Sequence, residues 1–516
     1  YTNDLRLKEI ATGDEAGTWG NSTNTNLELI AEKFGTGSEA LSDASTATIT
    51  MQDGTSDAFR SFSLTLTGSL SQACTVTLAP NTLSNVWVVQ NSAGDTVTLT
   101  QGTGANVVIP NGGIKMIATD GAGSGAAVTD VLDLTGGTGN VGLGSGSLGT
   151  SLTTGTDNVA IGENAGDAIS TGSDNTLVGD NAGGALTTGG ENIAIGSAAL
   201  DAEDTGNRSV AIGFEALTAQ NNDANNYNVA VGYVAGKAVT SGIRNNFFGA
   251  ESGEALTTGN DNIAIGYQTL TSETAGNRTV AIGNNALDAQ NSSTDTNMYN
   301  VGVGYAAGGA ITTGVQNTLI GGLAGDALTD ADFNVAMGYA ALGADTLGSR
   351  SIAIGYAALD AQNFTTATDS YNTAVGFEAG GAVTTGTRNV LIGGLAGDAS
   401  TTGSRNHVIG YNALGQDTKG ERATALGYGA LQSQNFTTAT ENYNVALGYN
   451  AGGTITTGVQ NTFLGALTGD SLQDADFNVA LGYNALGADT LGSKTVAIGV
   501  GALEAQNFTT ATDTYN

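Results

Sequence analysis

The side chains that could do chemistry are few in this sequence, and most recur with a fixed period. His407 is the only histidine and Cys74 the only cysteine among 516 residues. No Cys/His set for a transition metal can be assembled from them, and no disulfide can close within the chain. Carboxylates are plentiful, 48 Asp and Glu against 15 Lys and Arg, and glycoside cleavage needs two of them at a set separation in a groove. The acidic pairs repeat, however: Asp330 and Asp332 reappear as Asp474 and Asp476. A unique active site should break the period, so these positions point to structure. Gly-x-Gly phrases belong to turns of the repeat and lack the strand–turn–helix context of a nucleotide fold. Loop Asp and Asn suit calcium, but no Gly/Asp nonapeptide of the calcium-binding type recurs. The expectation is a protein that is not an enzyme and carries no metal or cofactor. Cys74, in the alternating run Ala73–Ala79, suits a buried small apolar role.

What positions these residues is an internal repeat. With Asn158–Gly162 (Asn-Val-Ala-Ile-Gly) as a ruler, equivalents run from Asn140 to Thr495, and from Asn228 onward they are spaced 17, 17, 17 and 21 residues apart. The result is a 72-residue superunit starting at Asn228, Asn300, Asn372 and Asn444, with Asn516 opening another. Counting the ruler's first residue as position zero, position four is always glycine, as in Gly162, Gly213, Gly232, Gly304, Gly376 and Gly448. A glycine demanded once per coil implies positive φ or a crowded backbone. Positions one and three, such as Val159 and Ile161, are apolar and share a strand face. They are read as the coil interior, with His407 packed at a position one. Position seven is mostly Ala, and position eight rotates as Gly166, Gly183, Leu200 and Leu217, a second and thinner core layer.

Position two points the other way and is never charged. It is mostly small, as in Ala160, but large in the second coil of each superunit: Leu177, Phe247, Leu319, Leu391 and Phe463. A strand apolar on both faces must be covered on both, so position two is assigned to packing between chains. Aromatic residues after the glycine, such as Phe214, Tyr233, Tyr267 and Tyr305, are expected to fill the coil corner. The longer coils must bulge outward, with Phe364, Phe436 and Phe508 folding back against the rod.

These readings define an all-β chain. Residues 136–516 form a parallel β-solenoid of 17- and 21-residue coils. Residues 1–135 form a small, mostly-β module, sandwich-like, with one short helix over Ser22–Phe34. Ser22 or Thr23 caps that helix, and Leu27, Ile30, Ala31 and Phe34 share a face. With 79 Gly, 2 Pro and no G-X-Y period, neither collagen nor a Pro-rich linker fits. The net charge of −33 is spread along the chain and repels nucleic acid and anionic membranes. No run of 18 apolar residues is present to insert into a membrane, and no charged-then-apolar leader opens the chain. Because the chain stops on a coil boundary, the rod is expected to continue past Asn516.

The repeat resembles the head repeats of trimeric autotransporter adhesins, whose Asn-Ser-Val-Ala-Ile-Gly phrase is nearly matched by Ser209-Val210-Ala211-Ile212-Gly213. That resemblance implies a left-handed β-roll packed as a homotrimer, although the coils here are longer. The opening segment, through Leu7–Gly13, Gly17-Thr18-Trp19-Gly20 and Asn24–Ile30, resembles the N-terminal module of tail-fibre and structural proteins of marine tailed bacteriophages. Together they imply a structural virion fibre, an extracellular trimeric rod projecting toward the host. Its expected partners are other virion or tail proteins, through the N-terminal module, and a host surface receptor. The alternative is a bacterial cell-surface adhesin, which requires a secretion signal and a membrane-anchor barrel.

Overall fold

The computed structural model describes residues 3–11, 13, 15–131 and 139–516. The chain divides into two compact units, Tyr1–Gly137 and Thr138–Asn516. The boundary expected at residues 135–136 lies outside the described residues.

In the first unit, helix α1 spans Trp19–Lys33 and starts earlier than expected. Thr18 precedes it without a side-chain cap bond, and Ser22 instead donates to the Glu15 carboxylate from within the helix. Leu29 is its buried residue, whereas Leu27 and Phe34 of the expected apolar face are exposed. Apolar residues scattered this thinly do not single out one face. One sheet contains β1 (Thr36–Leu41), β3 (Ser63–Gly68), β5 (Ser84–Ser92), β8 (Ile114–Asp120) and β9 (Val128–Asp130), in that order. The other contains β2 (Thr46–Thr50), β4 (Cys74–Ala79), β6 (Val97–Thr100) and β7 (Val107–Ile109). Strands β1, β3 and β5 pair in parallel, as do β2, β4 and β6. The chain therefore winds between two sheets as a short coil before antiparallel pairs close it. The core holds Trp87, stacked 4.7 Å from Phe59 and donating to its carbonyl, and the buried Cys74.

The second unit is a parallel β-solenoid. Three-residue strands, from Val141–Leu143 to Val496–Ile498, stack in chain order into one 21-stranded sheet. Register is exact from coil to coil, with Val159 opposite Thr176 and Ala160 opposite Leu177. At about 4.8 Å per strand the stack is roughly 100 Å tall. The invariant glycine satisfies both sequence reasons at once. Gly162 has φ +137°, and a Cβ there would lie 2.4 Å from the Gly179 carbonyl oxygen.

The faces of this sheet are opposite to the sequence reading. Ala160, Leu177, Phe247, Leu319, Leu391 and Phe463, assigned to packing between chains, are buried in the coil's own core. Val159 is half-buried, Ile161 is 37% exposed, and His407 is exposed on the same outer face. Strand alternation fixed two faces, but with both apolar it could not tell which one was inside. The interior explains the rotation at position eight. A Cβ on Gly380 would lie 2.5 Å from one methyl of Leu391, and a Cβ on Gly397 2.9 Å from the other. Gly236 and Gly253 stand against the Phe247 ring in the same way. One large inner residue thus occupies the space of two absent side chains, and Leu200 and Leu217 fill the core elsewhere.

Candidate functional site

Two arrangements within the solenoid could carry function: a buried polar ladder and the outer sheet face. The ladder begins with the ruler's Asn. The Asn175 backbone N–H donates to the Asn158 side-chain oxygen at 3.1 Å, and its side-chain amide donates to Gly189 O at 2.9 Å. Position zero thereby ties each coil to the one before and closes its own turn. In the fourth coil of each superunit position zero is Ser, Thr or Ala, and the ladder is carried differently. Gln362 reaches into the space left at Ser351, donates to its hydroxyl at 2.9 Å, and accepts from Asn372 at 2.8 Å. The same Gln362 amide donates to Asp345, which is fully buried and also accepts from the Gly348 and Phe364 backbone N–H groups at 3.1 and 3.0 Å. Glu203, Glu273, Asp417 and Asp489 occupy the equivalent site, with Gln220, Gln290, Gln434 and Gln506 beneath them.

Sequence reasoning missed these acids. Their signal was an acid at position eleven of the third coil, where the two coils before it carry Ile, Leu or Val (Ser400 once), followed 17 residues later by Gln. Burial raises the Glu203 carboxyl above its ordinary range. With backbone and amide donors converging on them, these carboxylates hold the chain path of the long coil in place. Asp330 and Asp332, and likewise Asp474 and Asp476, accept from the coil before. Among the described residues no three His, Cys, Asp or Glu form a metal-ligand set.

The long coils fold back as expected. Phe364 and Phe436 are buried at 6% exposure and Phe508 is half-buried. Extra residues Thr368–Asp369 pair in parallel with Gly348–Ser349 of the coil before. A surface staple holds each return: Arg422 pairs with Glu441 at 2.7 Å, lies over the Tyr443 ring, and Tyr443 donates to the same carboxylate at 2.7 Å. Arg350 with Asp369 and Tyr371, and Lys494 with Asp513 and Tyr515, repeat it.

The outer face is built by positions one and three, flanked by two further rows. On one edge runs position five, just after the glycine. Its rings are exposed, Tyr233 at 55% and Tyr305 at 63%, so they do not fill the coil corner as expected. They stack on one another along the rod: Tyr339–Tyr356 at 5.7 Å, Tyr356–Phe377 at 5.2 Å, Tyr411–Tyr428 and Tyr428–Tyr449 at 5.5 Å. On the other edge runs the residue before position zero. It carries eight of the ten basic residues found after residue 135 (Arg208, Arg244, Arg278, Arg350, Arg388, Arg405, Arg422 and Lys494), interspersed with Tyr and Phe. Between the edges, Ile, Val, Leu, Phe and Met side chains form a strip the height of the stack, interrupted at position one by Thr176, Asn246, Thr318, Thr373, His407, Thr424 and Thr462. Its area is on the order of 1,000 Å², beyond the few hundred that soluble monomers usually leave open.

No protein-family profile, curated protein sequence or solved structure matches this chain.

Proposed function

We propose that this protein is the non-catalytic structural rod of a virion fibre, assembled as a homotrimer and carried outside the particle toward the host surface. The observation that carries the reading is the outer sheet face. A strip of β-branched and aliphatic side chains as tall as the solenoid, edged with aromatic rings and Arg, has the composition of a protein interface and not of a solvated surface. Three such faces turned toward a common axis would bury one another along the whole rod. This keeps the assembly argument made from the sequence but moves it from position two to positions one and three. Fixed coil register and side chains tied coil to coil suit a rod that bears load rather than a site that turns over substrate. The N-terminal module supplies attachment to other virion proteins. Trp19, Leu27 and Phe34 of the α1 segment are exposed at 63%, 59% and 83% and fall within about 80° of one another at 100° per residue. Exposed apolar side chains of this size suit contact with a protein partner.

Light scattering on the purified chain tests the assembly, with a trimer mass expected and a stable monomer overturning it. Electron microscopy with antibodies against the solenoid tests the location. Label on thin fibres of virus particles is expected, whereas label on cell surfaces alone would favour the adhesin.

A further inference from the structure

The aromatic edge is a ladder with missing rungs. From Asn228 onward position five of each second coil is small, Ala250, Gly322, Gly394 and Ala466, while Asn284 in a fourth coil replaces a ring with an amide. At Gly394 the flanking rings are Phe377 and Tyr411, two coils apart, or about 10 Å. Phe377 stacks on Tyr356 on its far side and Tyr411 on Tyr428, so the two ring faces turned toward Gly394 have no ring between them. The opening is level with the glycine, whose absent Cβ would sit 3.4 Å from Tyr411. Its height matches one further step of the ladder on each side, since stacked neighbours stand 5.2–5.7 Å apart.

On the opposite edge the same coils carry long side chains: Arg244, Gln316, Arg388 and Gln460. Arg388 differs from the other cations of its row. Arg350, Arg405 and Arg422 each reach a carboxylate, but exposed Arg388 makes no side-chain hydrogen bond, ion pair or ring contact among the described residues. The holes thus recur with one 72-residue period, and a long side chain stands level with each on the other edge of the same face, as long side chains do at most coils.

Rotational symmetry decides how these edges meet. Turning a copy about any axis parallel to the rod keeps equivalent coils level, and it brings the Arg edge of one copy against the aromatic edge of the next. A planar guanidinium between two ring faces is favourable on both sides, more so when water is excluded. From the assembly reading above, on which this rests, we infer that Arg388 of one copy inserts between Phe377 and Tyr411 of its neighbour, at Gly394. Gln316 at Gly322 and Gln460 at Ala466 enter the levels four coils away in the same manner. The apolar strip alone would let copies slide along each other by whole coils. Holes that open only in the second coil of each superunit restrict that sliding.

The test is a pair of cysteines in the full chain, Arg388→Cys with Gly394→Cys. Five residues lie between them, the middle three an extended strand (Val390–Ile392) that holds the two sites farther apart than the ~7 Å a disulfide can span within one chain, and native Cys74 is buried. Under mild oxidation, covalent oligomers are expected for this variant. None are expected for Arg388→Cys with Gly322→Cys, where the partners are four coils out of level. An assembly of unchanged mass with no crosslink at 388/394 overturns the slot while leaving the assembly reading intact. Equal crosslinking in both variants overturns the register claim, and a monomer by light scattering overturns both readings. Should the double variants fail to fold, Gly394→Tyr supplies the missing rung directly. It is expected to lower the temperature at which the assembly dissociates, and an unchanged dissociation temperature overturns the inference.

Discussion

Replacing Asp345 with Ala removes the acceptor at the centre of one long-coil junction. Asp345 is 0% exposed and accepts from Gly348 N at 3.1 Å, Phe364 N at 3.0 Å and the Gln362 amide. The substitution strands three donors in a site with little access to water. Each stranded donor costs about 1–3 kcal/mol, and the relief of no longer burying a carboxylate offsets part of the sum. The expected net loss is about 3–5 kcal/mol, as for other buried polar groups robbed of one partner. Because each coil touches only its neighbours, the loss should concentrate in the coils between Asn334 and Asn372 and spare distant superunits. Hydrogen exchange followed on peptides covering residues 345–366 reads it directly. At 1.4 kcal/mol per tenfold, protection there should fall by about two to four decades. Asp345→Asn keeps one oxygen for the two backbone donors but sets its amide against that of Gln362, so an intermediate loss is expected. Unchanged protection in the Ala variant would refute a load carried by this carboxylate.

Leu391→Ala should cost about 3–5 kcal/mol by opening a cavity against Gly380 and Gly397. Adding Gly397→Leu should restore part of it, because Leu200 and Leu217 already occupy that coil position at φ +54° and +50°. A double variant melting below the single one would contradict the volume exchange. Burial, with neighbouring like charges in several cases, raises the carboxyls of Asp201, Glu203, Asp326, Asp360, Asp398 and Asp470. Their folded forms bind more protons than the unfolded chain above the ordinary carboxylate range, so stability falls as pH rises through that window. Asp261 and Asp513, held low by hydrogen bonds from Arg244 and Lys494, lose their contribution only as pH falls below that range. The melting temperature should therefore peak near about pH 4 and decline toward neutrality, and a melt that rises steadily from pH 4 to 7 would exclude this balance.

The solenoid itself was legible because a period repeated without error leaves few alternatives: one glycine per coil, one strand per coil, insertions confined to every fourth. The orientation of the strand was not, because Val159 and Ala160 are both apolar and alternation is blind to which parity faces inward. The deciding signal lay in a covariation. Leu177, Phe247, Leu319, Leu391 and Phe463 occur only where position eight is Gly in their own and the preceding coil, and side chains that trade volume must share one interior. The aromatic row misled for a related reason. Tyr after glycine suits a corner or a surface equally well, and only the stacking distances place it outside. In the N-terminal unit, alternating runs gave the strands, but parallel and antiparallel pairing look alike in short segments of Thr, Val and Leu.

The four-coil superunit follows from how these devices interlock. The large inner residue of the second coil needs glycine in the first and second. The buried acid of the third coil needs the Gln of the fourth, and that Gln needs a short residue at its own position zero. Its other end accepts from the Asn that opens the next superunit, so the set closes only after four coils. The long loop belongs to the fourth coil because its Phe N–H is one of the acid's donors, as Phe364 is for Asp345. No coil can then change places with its neighbour without breaking a contact on each side. The outer face carries part of this order: from Asn228 onward a small residue at position five falls in the second coil, although no inner contact requires it there. A period on an exposed surface without an inner contact to impose it is what the assembly proposed above requires, because a second copy of this chain would meet that surface with the same period.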